Sequence, residues 1–273
     1  MENEAALVPL AAAVIAAWCA AIWMAAVVFR RRRAGLPVPE PRPQRPVPWR
    51  GADVIAAVAI MLLARIAVQG IFGEAEGMTS QLLASVTAML GGAVAVAIFL
   101  RLRGGSWRDL GLVPVRPMAD LRIAVAGLGL VLAPLLAVAA ALNRIVPYTH
   151  PIIDYLAEHR EPVAIGLVVL AAVVVAPLAE EFLFRRVLQG WLATVEPLLG
   201  PGSAIGLSSL AFAAAHAGHG LGWMPLLALG AVLGVIVRQT GSIVPAVLLH
   251  ALFNAVSVVL LLLQISGLAP AEP

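Results

Sequence analysis

The chain has 273 residues, of which 62% are hydrophobic and only 12% charged. Soluble domains carry about 25% charged residues, so this composition excludes an ordinary soluble globule and marks a polytopic membrane protein. The formal net charge of +3 comes from 18 basic residues, all of them Arg, which do not interleave with aromatics on a polar surface, so no nucleic-acid partner is expected.

Apolar runs of about 20 residues predict an all-α bundle of about eight membrane-spanning helices. They cover 5–29, 52–73, 81–102, 120–142, 163–189, 202–218, 222–238 and 242–264. The first run opens with Glu2 and Glu4 and ends in Arg30, Arg31, Arg32 and Arg33, the reverse of a signal peptide. That basic stop holds the first helix with its N-terminus outside. The same orientation places fifteen of the eighteen arginines on the inner side. Cys19 in this run is the single cysteine, so no intrachain disulfide and no Cys-based metal cluster is possible. Residues 36–50 are Pro-rich and read as an extended cytoplasmic linker. The stretch from Trp107 to Leu112 reads as a short amphipathic turn at the inner surface. Gly230 and Gly234 form a Gly-x-x-x-Gly pair suited to close helix packing. The chain divides into 1–50 (first helix and linker), 51–160 (accessory helices) and 161–265 (a core with the polar residues).

Three late spans carry groups that are costly in lipid, each by about 3 kcal/mol. They are Glu180 and Glu181 in the fifth, His216 in the sixth, and His250 with Asn254 in the eighth. At 1.5 Å per residue they lie about 15, 21 and 12 Å from the inner ends of their spans, close enough to share one slab. Glu181 and Arg185 are spaced i,i+4 with the acid first, the favourable order for an ion pair. Glu180 is turned about 100° away and points at another neighbour. His250 and Asn254 share a face. Pro177 and Pro245 precede the Glu pair and His250 and are expected to kink their helices. Taken singly, a membrane Glu–Arg pair or a lone His is most often structural. Together these residues point to one polar site.

A carboxylate, two imidazoles and an amide suit water activation and attack on a carbonyl. Glu180 is the base, His216 and His250 hold a metal or orient water, and Asn254 meets a developing oxyanion. The His-Glu-x-x-His zinc signature is absent, as is Gly-x-Ser-x-Gly around Ser208 and Ser209. A zinc site from His216, His250 and Glu180 is possible in ligand type and number. His219 is a spare ligand at most, and His150 and His159 fall in an outer loop.

Glu180-Glu181-x-x-x-Arg185, Phe212-x-x-x-His216 and His250-x-x-x-Asn254, in this order on late spans, resemble the three motifs of the CPBP family. This family comprises the CAAX prenyl endopeptidases and the bacteriocin-processing or self-immunity proteins. The resemblance covers about residues 163–260, and Asp109-Leu110-Gly111-Leu112 is similar to a weaker family feature. It implies an intramembrane endopeptidase, of metalloprotease type or with a metal-free glutamate mechanism. Glu180 then activates water, His216 and His250 complete the site, Asn254 is the oxyanion donor, and Glu181, Arg185 and Phe212 support them. The cofactor is open between one divalent ion, zinc, and none. The Lys-free, Ala- and Arg-rich chain without a targeting peptide points to a prokaryotic plasma membrane, where the substrate is a membrane-associated peptide or protein. The alternative is a non-catalytic immunity or scaffold protein, or a small transporter. Transport predicts paired broken helices in both halves, and the first four spans carry no equivalent polar cluster.

Overall fold

In the computed structural model the apolar runs from residue 51 onward form helices, with no strand among the described residues. Those residues are 23, 26, 27, 29–36, 46–72, 77–111, 116–147, 155, 156, 162–200, 202–218 and 220–265. Most of the expected first span, linker residues 37–45, Cys19, His150, His159 and His219 lie outside them.

From Gly51 onward the described residues form seven α-helical elements in order. They are α1 (Gly51–Phe72), α2 (Met78–Leu102), α3 (Pro117–Ile145), α4 (Pro162–Leu199), α5 (Ser203–Ala215), α6 (Trp223–Thr240) and α7 (Val244–Ile265). Six of them, all but α5, are long and apolar enough to cross a membrane. The shortest of these six, α6, has 18 residues, about 27 Å, close to the ~30 Å of a bilayer core. The chain is therefore an all-α, multi-pass membrane bundle.

Two expectations are corrected. The sixth run does not make a full span, because α5 has only 13 residues, about 20 Å, and ends at His216. Gly202, at φ 85°, starts it, and a turn through 216–218 stops it. The fifth span does not end near residue 189. It continues as one helix of 38 residues to Leu199, through Gln189, Thr194 and Glu196, whose polarity lowers hydropathy without breaking a helix. Glu196 receives Arg238 of α6 at 2.7 Å, so the C-terminal ends of α4 and α6 lie side by side.

Helix α4 is not regular. Two π-helical stretches, Leu170–Val175 and Glu181–Leu188, flank the short α-helical piece Ala176–Glu180. Pro177 lies in that piece and has no N–H to give to the preceding turn. The irregularity expected at this proline takes the form of π turns, a feature often found at functional sites. Pro245 behaves otherwise. It is the second residue of α7, where the missing N–H is one the helix leaves unbonded anyway, so it gives no break beside His250.

Among the described residues, packing divides into two apolar clusters. The larger joins α1, α2, α3, α6 and the start of α7 to the second π stretch, with Leu100, Ala124, Val187, Leu229 and Leu249 fully enclosed. The smaller gathers Leu82, Tyr155, Leu156, Ala164, Val168 and Val258 around the first half of α4. Residues 176–181 link the parts of α4 that belong to the two clusters, and the conspicuous polar residues are there.

Candidate functional site

The second π stretch begins at Glu181, whose side chain is fully enclosed. Arg185 Nε donates to Glu181 Oε2 at 3.0 Å, so the expected i,i+4 pair is present. The other carboxylate oxygen, Oε1, lies 3.0 Å from Nδ1 of His250 on α7. An ionised carboxylate only accepts, so Nδ1 of His250 carries the proton. Glu181 thus joins two helices as well as neutralising its own arginine, and this second bond has no signature in local spacing.

Phe212, completely buried on α5, is the apolar floor of the cluster. The Arg185 guanidinium lies over its ring at 4.9 Å, and among the described residues Nη1 and Nη2 of Arg185 have no hydrogen-bond partner. Their N–H groups are held against the aromatic face instead. Phe184 and His250 meet the Phe212 ring edge-on at 5.5 and 5.7 Å, and the His216 ring is 4.8 Å away. Gly230 of α6 makes this approach possible. A Cβ there would sit 3.2 Å from both Arg185 Nη2 and Phe212 Cδ1.

His216 caps the C-terminal end of α5, and its Nδ1 lies 2.8 Å from the Phe212 carbonyl. A carbonyl also only accepts, so Nδ1 is again the protonated nitrogen. Both imidazoles therefore have Nδ1 tied to a fixed acceptor and turn Nε2 the other way. Both Nε2 atoms face Glu180. His216 Nε2 is 3.9 Å from Oε1, and His250 Nε2 is 3.9 Å from Oε2. The Glu180 side chain keeps 18% of its surface accessible, whereas Glu181 keeps none. One turn beyond His250, Asn254 Nδ2 donates to the carbonyl of Ala172 in the first π stretch at 2.8 Å.

The donor set is of a kind that binds zinc, since metal-ligating histidines usually have their second nitrogen anchored as these do. The spacing is not that of a zinc site. Bonds of 2.0–2.1 Å at a tetrahedral angle hold two ligand atoms about 3.3 Å apart, well under the observed separations. Among the described residues no group of three or more His, Cys, Asp or Glu side chains is arranged to hold a metal ion. A gap of 3.9 Å is too long for a direct hydrogen bond and suits one bridging water.

The structure thus brings Glu180, Glu181, Arg185, Phe212, His216 and His250 together. Asn254 is on the same face of α7 but is engaged by Ala172. Sequence reasoning missed the Glu181–His250 bond and the two π stretches.

An all-helical membrane bundle with a carboxylate–imidazole cluster on its late helices defines a membrane protein with an enclosed polar site. Residues 162–256 match the family model described as Rce1-like, type II CAAX prenyl endopeptidase Rce1-like. That match makes the segment similar to the CPBP/CAAX protease family, and all seven motif residues fall within it. No curated protein and no solved structure matches the chain.

Proposed function

We propose that this protein is an intramembrane endopeptidase that hydrolyses a peptide bond of a membrane-associated protein or peptide with a water molecule activated by Glu180. The observation that carries this reading is the placement of Glu180 between two imidazole Nε2 atoms at 3.9 Å, each ring fixed through Nδ1. In this reading a water sits in the gap. One hydrogen of this water points to Glu180, which takes that proton as the oxygen attacks the scissile carbonyl, and the other is shared by the Nε2 acceptors of His216 and His250, which aim the lone pair. Asn254 has a second amide hydrogen beyond the one given to Ala172, and this hydrogen meets the charge that develops on the carbonyl oxygen. Glu180 then returns the proton to the departing amine. Glu181, Arg185 and Phe212 do not touch substrate; they hold His250 and His216 in register.

The spacing supports a glutamate mechanism over a zinc one, so chelators are expected to leave activity intact while His216→Ala and His250→Ala abolish it. The function is tested by incubating the purified protein in detergent with a peptide library that includes lipidated members, and reading products by mass spectrometry. Discrete cleavage products that vanish in Glu180→Gln are expected. An absence of any product would return the chain to the scaffold reading.

A further inference from the structure

On the side of α4 away from Phe212, a second set of contacts grips the π stretch Glu181–Leu188. Trp49, two residues before α1 and 3% exposed, donates its indole Nε1–H to the Val187 carbonyl at 3.1 Å. Arg186 stacks over the same indole at 5.7 Å and donates Nε–H to the Asp109 carbonyl. Asp109 is itself held, because its carboxylate accepts the backbone N–H and hydroxyl of Ser106 at 2.8 and 2.6 Å. Val47 completes the grip, resting so closely on Gly190 that a Cβ there would lie 2.8 Å from Val47 Cγ1. Adjacent arginines therefore engage different neighbours, Arg185 the Glu181 carboxylate and the Phe212 ring, Arg186 Trp49 and the 106–111 turn. The stretch cannot rotate about its axis without breaking both sets. π turns are rare and persist where neighbours fix them.

We infer that Trp49, acting with Arg186 and the 106–111 turn, is a positioning residue that sets the rotation of the π stretch and so aims Glu181 at His250. Trp49 and the turn lie outside the family-matched residues 162–256. The inference gives the cytoplasmic linker and the Asp109-Leu110-Gly111 motif a role in the site. Misplacing a catalytic group by about 1 Å costs up to 100-fold in rate, so loss of one clamp bond is expected to cost about tenfold.

The test uses full-length protein in detergent, and its kinetic arm rests on the proposed peptidase reading. Trp49→Phe keeps an aromatic ring beside Arg186 but removes the N–H and part of the buried indole. The expected result is a kcat about tenfold lower and KM within twofold of wild type, in a protein that still unfolds cooperatively at a somewhat lower midpoint. The His250 Nδ1–H resonance, assigned in ¹⁵N-histidine-labelled protein by its loss in His250→Ala, should move. An unmoved resonance overturns the inference, whether or not kcat falls. Should wild type cleave nothing, the peptidase reading fails and the resonance alone decides, a shift upholding the clamp and no shift ending it. If Trp49→Phe does not fold, Gly190→Ala, which wedges Val47 off the helix, is read by the same two measurements with the same outcomes.

Discussion

Neighbouring glutamates in this chain have opposite fates, decided by where each points. Glu181 is enclosed with partners at 3.0 Å on both oxygens, whereas Glu180 faces two imidazoles across 3.9 Å gaps. Half of this was legible in the sequence. The i,i+4 order gave the Glu181–Arg185 pair, and the 100° offset separated the two acids. The bond from His250 was not, because 69 residues separate it from Glu181 and only tertiary packing brings them together. Its consequence is that Glu181 loses one of two partners in Arg185→Ala and keeps a buried negative charge. We expect that variant to lose about 3 kcal/mol or more of stability, read by reversible unfolding in detergent. A loss below 1 kcal/mol would show that the pair is dispensable. Asn254→Ala should act on rate instead. Removing one oxyanion donor costs about 100- to 1000-fold in kcat, so a variant within threefold of wild type would take Asn254 out of the reaction.

At the scale of helices, hydropathy located five apolar spans among the described residues, and the start of a sixth, to within a few positions, and it missed three features. It stopped α4 near residue 189, it extended α5 into a span, and it said nothing of the π stretches. Hydropathy reports transfer into lipid. It does not report how a helix distributes its hydrogen bonds around Pro177, or that a 13-residue helix suffices when its task is to carry His216 to Glu180. The Gly-x-x-x-Gly pair in α6 was visible, but only the structure shows that Gly230 faces Arg185 and Phe212. Gly230→Ala places a methyl 3.2 Å from both, and with little room to yield we expect a loss of about 1–3 kcal/mol together with reduced turnover. Gly206→Ala on α5 meets nothing within 4 Å and should be neutral or slightly stabilising, since alanine is the better helix former. Equal unfolding midpoints for the two variants would contradict close packing at Gly230.

For the molecule as a whole, composition fixed the class, and the motif order placed the core close to the segment that matches the family, 162–256. The join between that core and the segment around Trp49 was hidden, because a Pro-rich stretch carries no periodicity to read. Arginine placement predicts the orientation, and the Glu196–Arg238 pair at 2.7 Å sets next to each other the two helix ends expected inside. A single cysteine at position 32, in a chain with Cys19 replaced, should resist a membrane-impermeant maleimide in intact cells. Labelling from outside would reverse the topology. The central claim is that Glu180 is the base and Glu181 its structural neighbour. The most direct measurement pairs turnover of a cleaved peptide with the unfolding midpoint for wild type and Glu180→Gln. The account predicts a midpoint within a degree or two of wild type, since a shift of about 2–4 °C already marks 1 kcal/mol in a chain of this size, and no detectable turnover. Wild-type turnover in Glu180→Gln would contradict it.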